Sequence, residues 1–258
     1  MFGFYRIINL VPALRAIISE ESLIPKNNQN KVPFLFKTLK LLLFVKKNKN
    51  TDLSKTLRKL GPTWIKLGQF LSTRPDIIGK DLSDKLKKLQ DKVEPFTITK
   101  AKEILQKEFK EDYEDIFIEI MPSEAAASIA QVHKGKVKLN NEKYDVAVKI
   151  LRPNIEREIK RDLRNFFVTA KIMERFSKEA KRLRLVEVVK TLAESLSMEI
   201  DLRLEAAAQS EIRENIINDD YFSVPDVYWD LTRKNILISD WVDAIPVSYT
   251  HLTQPTKA

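Results

Sequence analysis

Two lysines in this chain sit where an ammonium group needs an anion. Lys66 lies in LGPTWIKLGQFLSTRPD, residues 60–76, followed closely by Gly68 and Gln69. The chain has only 5 glycines, yet Gly61 and Gly68 fall in one segment with a helical pattern. A glycine inside a helix costs about 1 kcal/mol relative to alanine, so the pair asks for a packing reason. Lys149 lies in VAVKI. Strand alternation there puts Val146, Val148 and Ile150 on one face and Ala147, Lys149 and Leu151 on the other. A buried, unpaired ammonium is too costly to keep, so Lys149 must find an anion or a wet edge. The acids on offer are Glu199, Asp201 and Glu205 in MEIDLRLEAAAQSE. On one helix Asp201 and Glu205 share a face, while Glu199 and Glu205 differ by about 240°, so that helix can serve two lysines from different directions. Like charges at i,i+4 oppose a helix, which favours a functional reason for keeping them. The plainer alternative is a solvated strand lysine and an amphipathic helix with wet acids.

PSEAAASIAQVHKG, residues 122–135, runs just ahead of VAVKI. A loop that wraps its amides around phosphates needs the positive φ that glycine allows. Here Ala125, Ala126 and Ala127 precede Ser128, Ile129, Ala130, Gln131, Val132 and His133. The segment 125–133 is therefore expected to be a loop that holds nucleotide differently, or less readily, than a glycine loop. The alternative is a helix start followed by a strand. Farther on, DLTRKNILISD places Asp230 and Asn235 at the spacing of a base and a metal ligand in phosphoryl transfer. No His-Arg precedes Asp230 and no Asp-Phe-Gly follows, so this stretch is not read as a catalytic loop.

These residues need elements to position them. IPKNNQNKVP (24–33) is a proline-bounded polar linker, and the pattern beyond it is helical to about residue 110. Residues 51–60 end at Gly61, Pro62 suits the first turn of the next helix, and Thr99 is a candidate cap for TKAKEILQKEF. From about 115 the pattern turns to strands: DIFIEI, then IAQVHKGKVKL, an Asn140-Asn141 turn and YDVAVKIL. Long helices are predicted over 153–178 and 184–217, the second with Leu192, Leu196, Ile200, Leu204 and Ala208 at i+4 spacing. Two short strands, SVPDVYW and NILISDWV, are expected to follow. The predicted class is α+β.

The 258 residues carry no cysteine, which excludes disulfides, cysteine-ligated zinc and thiol catalysis. The formal charge of +9 is unevenly spread: residues 1–50 hold nine Lys/Arg and two Asp/Glu. There VPFLFKTLKLLLFVKK joins an apolar run to Lys37, Lys40, Lys46 and Lys47, and falls short of the roughly 20 residues that span a bilayer. Such a segment can lie on an anionic membrane surface or pack its apolar face on the fold, and both readings stay open. Nucleic acid is not expected, because no stacking aromatics or reading motif accompany the lysines. Pro12 breaks the first apolar run and no small-residue cleavage site follows it, so no signal peptide is expected.

Taken together and in order, these motifs resemble the UbiB family of atypical kinase-like proteins, the aarF-domain or coenzyme-Q-associated kinases. Lys66, Gly68 and Gln69 look like its K-x-G-Q signature, residues 125–133 like its alanine-rich loop, and Lys149 like the lysine of its V-A-V-K strand. Glu199 and Asp201 look like its E-x-D, with Glu205 following. The likeness covers about residues 5–246. Ala244 stands where the family usually has glycine, and Ala208 where it usually has asparagine.

The resemblance implies an atypical protein-kinase-like N-lobe with a helical N-terminal extension, the C-lobe missing. Its divisions would be a basic membrane-proximal region (1–48), a K-x-G-Q extension (49–112), an N-lobe with helical insert and hinge (113–246) and a non-native tail (247–258). His251, inside that tail, is discounted as a ligand. The resemblance further implies ATP and Mg2+ as cofactors, with no metal ligand in this chain. Lys66, Gln69, Glu199 and Asp201 would act in catalysis, with Lys66 paired to Glu199. The alanine loop, Lys149 paired to Glu205, and Asp240 and Val242 at the hinge would bind nucleotide. The whole protein would be a kinase or ATPase supporting ubiquinone biosynthesis, cytoplasmic and peripheral to a bacterial inner membrane. Isoprenoid lipid and ubiquinone-biosynthesis proteins would be its partners. This stretch, lacking a catalytic loop, is expected to be inactive alone. A non-catalytic lipid-handling or membrane-peripheral scaffold and a true protein kinase are the alternatives.

Overall fold

A computed structural model describes residues 53–87, 89 and 93–244. The basic segment 34–49, the linker 24–33 and the tail 247–258 lie outside the described residues. The described chain divides into two compact units. One takes the residues up to Phe96 with 125–131 and 151–201; the other takes 97–124, 132–150 and the residues from Leu202 onward.

The first unit is helical. It opens with α1 (Leu53–Leu60), α2 (Pro62–Ser72), α3 (Pro75–Ile78) and α4 (Lys80–Leu86). Gly61 precedes α2 at φ 110°, a backbone that favours glycine, and Pro62 takes the first helical position, as predicted. Gly68 alone lies inside the helix. It is buried on the side of α2 that meets α1 and α4, and a Cβ there would stand 2.9 Å from Leu57 Cδ1. The core of this layer is Ile65, Leu57, Leu86 and Leu89, and Ser83 Oγ ties it by donating to Ser72 O at 2.6 Å.

The second unit opens with α5 (Ile98–Phe109), a 3-10 turn (Lys110–Asp112) and α6 (Tyr113–Ile116), and leads into the sheet. Thr97, not Thr99, caps α5, its hydroxyl accepting from the Lys100 N–H at 3.3 Å. The strands are β1 (Phe117–Ala126), β2 (Ala130–Leu139) and β3 (Glu142–Leu151). Asn140 and Asn141 both take positive φ, 51° and 66°, as a two-residue turn between β2 and β3 requires.

The first unit resumes with α7 (Ile155–Phe176), α8 (Lys178–Leu183) and α9 (Leu185–Glu199). Helix α7 packs on α9, and Trp64 of α2 meets Phe166 of α7 edge-on at 4.7 Å. The single helix expected over 184–217 does not form. The chain leaves the helix at Ile200–Asp201 and restarts as α10 (Leu202–Asn215) in the second unit. The apolar phase explains it: Leu192, Leu196 and Ile200 are buried, but burial then moves to Leu202 and Ala206, leaving Leu204 52% exposed. Asp201 therefore shares no helical face with Glu205, and the expected i,i+4 repulsion between them does not arise.

The sheet is completed by β4 (Ile236–Asp240), in the order β1-β2-β3-β4. β4 runs antiparallel to β3, with Val148 opposite Ile238 and Lys149 opposite Leu237. SVPDVYW is not a strand. Val227 makes one isolated bridge to Ser239 and Trp229–Leu231 is a 3-10 turn. Pro225, lacking an N–H, cannot donate to a ladder. Val137, Val146, Val148, Ile150, Ile236 and Ile238 form the buried face of the sheet.

Candidate functional site

β3 fixes Lys149 by alternation. Its neighbours Val146, Val148 and Ile150 are fully buried, so Lys149 and Ala147 face the other way. The Lys149 ammonium meets both oxygens of Glu205, at 2.5 and 2.7 Å. Glu205 lies in the first turn of α10, where the helix dipole favours an anion. Both side chains keep access to water, Lys149 at 30% and Glu205 at 47%. The pair can therefore open to an anionic ligand without a large rearrangement of the core.

Lys66, on α2, reaches Glu199 at 2.8 Å, and both belong to the helical unit. Glu199 is the last residue of α9. A carboxylate is disfavoured there by the helix dipole, so the cation offsets a local electrostatic cost. With exposures of 18% and 34% this pair is the more enclosed of the two. Gln69 is half-buried on the same helix, and Asp201 occupies the position just before α10.

The alanine-rich segment is a tight hairpin, not a loop through 133. Ala125 and Ala126 end β1, and the Ala127 N–H donates to Ala130 O at 2.8 Å. Only Ser128 and Ile129 form the tip, because β2 begins at Ala130. The Ser128 hydroxyl is buried with no hydrogen-bond partner among the described residues. Arg152 fastens the hairpin: its guanidinium donates twice to Ala127 O, at 3.1 and 2.9 Å, and once to Glu94 O at 3.0 Å. Its backbone N–H also donates to Ile129 O at 2.8 Å.

Gln131 and His133 are buried strand residues. The Gln131 amide accepts from the Phe96 N–H at 2.9 Å and donates to Phe96 O at 3.1 Å. His133 Nδ1 lies 2.8 Å from Met121 O, an acceptor only, so Nδ1 carries the proton. Burial pushes the imidazole below its ordinary pKa, and the Met121 carbonyl opposes this in part. Val132 is half-buried between them.

Asp240 ends β4 and accepts from the Tyr228 hydroxyl at 2.7 Å and the Asp226 N–H at 3.1 Å. Burial and this carboxylate push the Tyr228 phenol well above its ordinary range. Val242 is exposed. Asp230 sits in the 3-10 turn, and Asn235 donates to Glu108 Oε1 at 2.9 Å. Among the described residues no group of three His, Asp or Glu side chains is placed to hold a metal ion. Arg152 and Tyr228 were missed at the sequence level. Arg152 acts on backbone carbonyls, which leave no mark in a sequence, whereas Tyr228 lay inside a stretch misread as a strand.

The match to a family model settles the relationship. Residues 88–257 match the ABC1 atypical kinase-like domain. The chain belongs to that family. Among curated relatives of this ABC1-family chain, one from Marinobacter nauticus named "Probable protein kinase UbiB" is 37% identical over 84% of the chain. Namesakes from Vibrio cholerae and Pseudomonas aeruginosa are 36% and 39% identical over 88% and 74%. The chain spans only 36–42% of the length of these relatives. The ABC1 assignment agrees with the α+β arrangement, a kinase-like N-lobe preceded by helices.

Proposed function

We propose that this chain is the nucleotide-binding portion of a UbiB-like atypical kinase or ATPase, with ATP as ligand and Lys149 as the residue that meets its phosphates. The observation that carries this is the Lys149–Glu205 pair on a V-A-V-K strand, within a chain of the ABC1 family. An ammonium held by one half-exposed carboxylate suits a polyphosphate: the anion can take a share of the charge while Glu205 fixes the direction of Lys149. ATP would supply the transferable phosphoryl group, with Mg2+ accompanying it; among the described residues no group of three His, Asp or Glu side chains is placed to hold the ion. Lys149 orients the phosphates, Glu205 positions Lys149, and Asp240 with Tyr228 fixes the end of β4. Lys66 and Glu199 hold the K-x-G-Q helix to the end of α9, with Gln69 and Asp201 as polar groups beside them. Ubiquinone biosynthesis as the setting, isoprenoid lipid as a partner and a place at the bacterial inner membrane belong to the same proposal. They rest on the family and on the basic character of residues 1–50.

Titrating the 258-residue chain with Mg·ATP by calorimetry tests the nucleotide claim. Binding is expected, and Lys149→Met is expected to weaken it by about tenfold or more, the scale of a charge-assisted contact worth about 1.5–3 kcal/mol. Unchanged affinity in Lys149→Met would overturn the assignment of Lys149.

A further inference from the structure

Helix α7 carries apolar residues on two sides. Ile159, Phe166 and Ala170 face inward and are buried. Val168, Ile172 and Phe176 recur at i+4 on the opposite side, spread over an arc of about 80°. They are 56%, 48% and 66% exposed. A helix at a protein surface normally gives that side to polar residues. Here the polar residues form a margin instead: Arg164, Lys171 and Arg175, all exposed, lie within about 60° of Val168 on one edge of the stripe. Beyond Phe176 the Ser177 hydroxyl caps α8, accepting from the Ala180 N–H at 3.2 Å, and Lys178, Lys181, Arg182 and Arg184 follow, each exposed. From Leu163 to Arg184 there are seven Lys/Arg against Glu174 and Glu179. Glu174 is already engaged, accepting from the Val186 N–H at 2.8 Å.

We propose that this face, the Val168–Ile172–Phe176 stripe with its cationic margin, docks on an anionic lipid surface. The apolar side chains would enter the boundary between headgroups and acyl chains while the cations meet lipid phosphates. Charge argues against two protein occupants. Residues 1–50 of the same chain carry nine Lys/Arg against two acids, so they would meet the margin with like charge. A second copy would bring the same seven cations face to face. No described helix is long and apolar enough to cross a membrane. The proposal rests on the membrane placement proposed above and is independent of nucleotide binding.

The test is co-sedimentation of the full 258-residue chain with vesicles of phosphatidylcholine alone and of phosphatidylcholine mixed with phosphatidylglycerol. Three sets of substitutions are compared: Val168→Gln, Ile172→Gln and Phe176→Gln together; Arg164→Glu, Lys171→Glu and Arg175→Glu together; and, as comparator, Lys37, Lys40, Lys46 and Lys47 to Gln. Both α7 triples are expected to lower partitioning onto phosphatidylglycerol vesicles by about tenfold or more, with further loss when combined with the comparator set. Phe176→Gln alone, at the last position of α7, should lower it about threefold while leaving the thermal melt of the parent unchanged. Three results would each overturn the proposal: parent-like binding by Phe176→Gln and both triples, equal binding to neutral vesicles, or loss confined to the comparator. A fourth would do so as well: if the apolar triple lowers the mass seen by light scattering, the stripe joins copies of the protein instead.

Discussion

Lys149 and Glu205, 56 positions apart, meet through two short contacts of 2.5 and 2.7 Å while both remain open to water. Removing one partner of a fully buried pair costs roughly 3–5 kcal/mol. At exposures of 30% and 47% this pair belongs to a weaker class. Lys149→Met and Glu205→Leu are each expected to cost about 1 kcal/mol or less in urea unfolding. Lys66–Glu199, at 18% and 34%, should show the larger coupling in a double-mutant cycle, up to about 1 kcal/mol. Additive effects of Lys66→Met and Glu199→Leu would remove the role given to that pair.

The two glycines of the K-x-G-Q segment should differ in their tolerance of alanine. Gly68→Ala gains about 1 kcal/mol of helix propensity, and its new Cβ meets the flexible end of Leu57, with Leu89 and Leu86 at ordinary distances of 3.5 and 3.6 Å. Stability is expected to change by less than about 1 kcal/mol. Gly68→Val, which adds further bulk against Leu57, should cost about 1–3 kcal/mol. Gly61→Ala has open space around it but must adopt φ 110°, a strain of about 1–3 kcal/mol. Thermal melts of the three variants check the order Gly68→Ala above both others.

His133 gives a pH dependence with a definite sign. Its folded pKa lies below the unfolded imidazole value of about 6.5 because burial disfavours the charged ring. Above that value both states are neutral and the residue contributes nothing to the pH slope. As pH falls through about 6.5 the unfolded chain takes a proton that the folded one refuses, so stability drops until the folded pKa is passed. His133→Gln should flatten the loss of stability between about pH 7 and pH 5.5 in urea titrations. The only other histidine is His251. An unchanged slope would show that the folded ring charges freely.

The parts of the fold that were legible in the sequence were local. VAVKI carried its own alternation, Asn140-Asn141 its turn, and Gly61-Pro62 its helix start. Both lysine–acid pairings came from family order and were then found in the geometry, each within one unit. The helix break at Ile200–Asp201 was hidden because the i+4 apolar spacing runs on through Leu204 and Ala208, although the chain buries Leu202 and Ala206 instead. One overlooked signal was present: Lys134, Lys136 and Lys138 alternate, which assigns Gln131, His133, Gly135 and Val137 to the inner face of a strand. Burial of a glutamine and a histidine there depends on the Phe96 and Met121 backbones, partners no pattern reveals.

The order of the sheet also has a consequence during synthesis. β1, β2 and β3 are a meander whose pairings close over short stretches of chain, but the far side of β3 must wait for β4, as Val146 pairs with Asp240. At ribosomal speeds of about 5–20 residues per second, the 84 residues between β3 and β4 (152–235) take on the order of ten seconds to emerge. For that interval the nascent protein presents one side of its Val146–Ile150 ladder without a neighbour, a template for pairing with other chains. The late closure also raises the contact order. Nascent copies emerging side by side on one message would be the first strands available to each other's open edge.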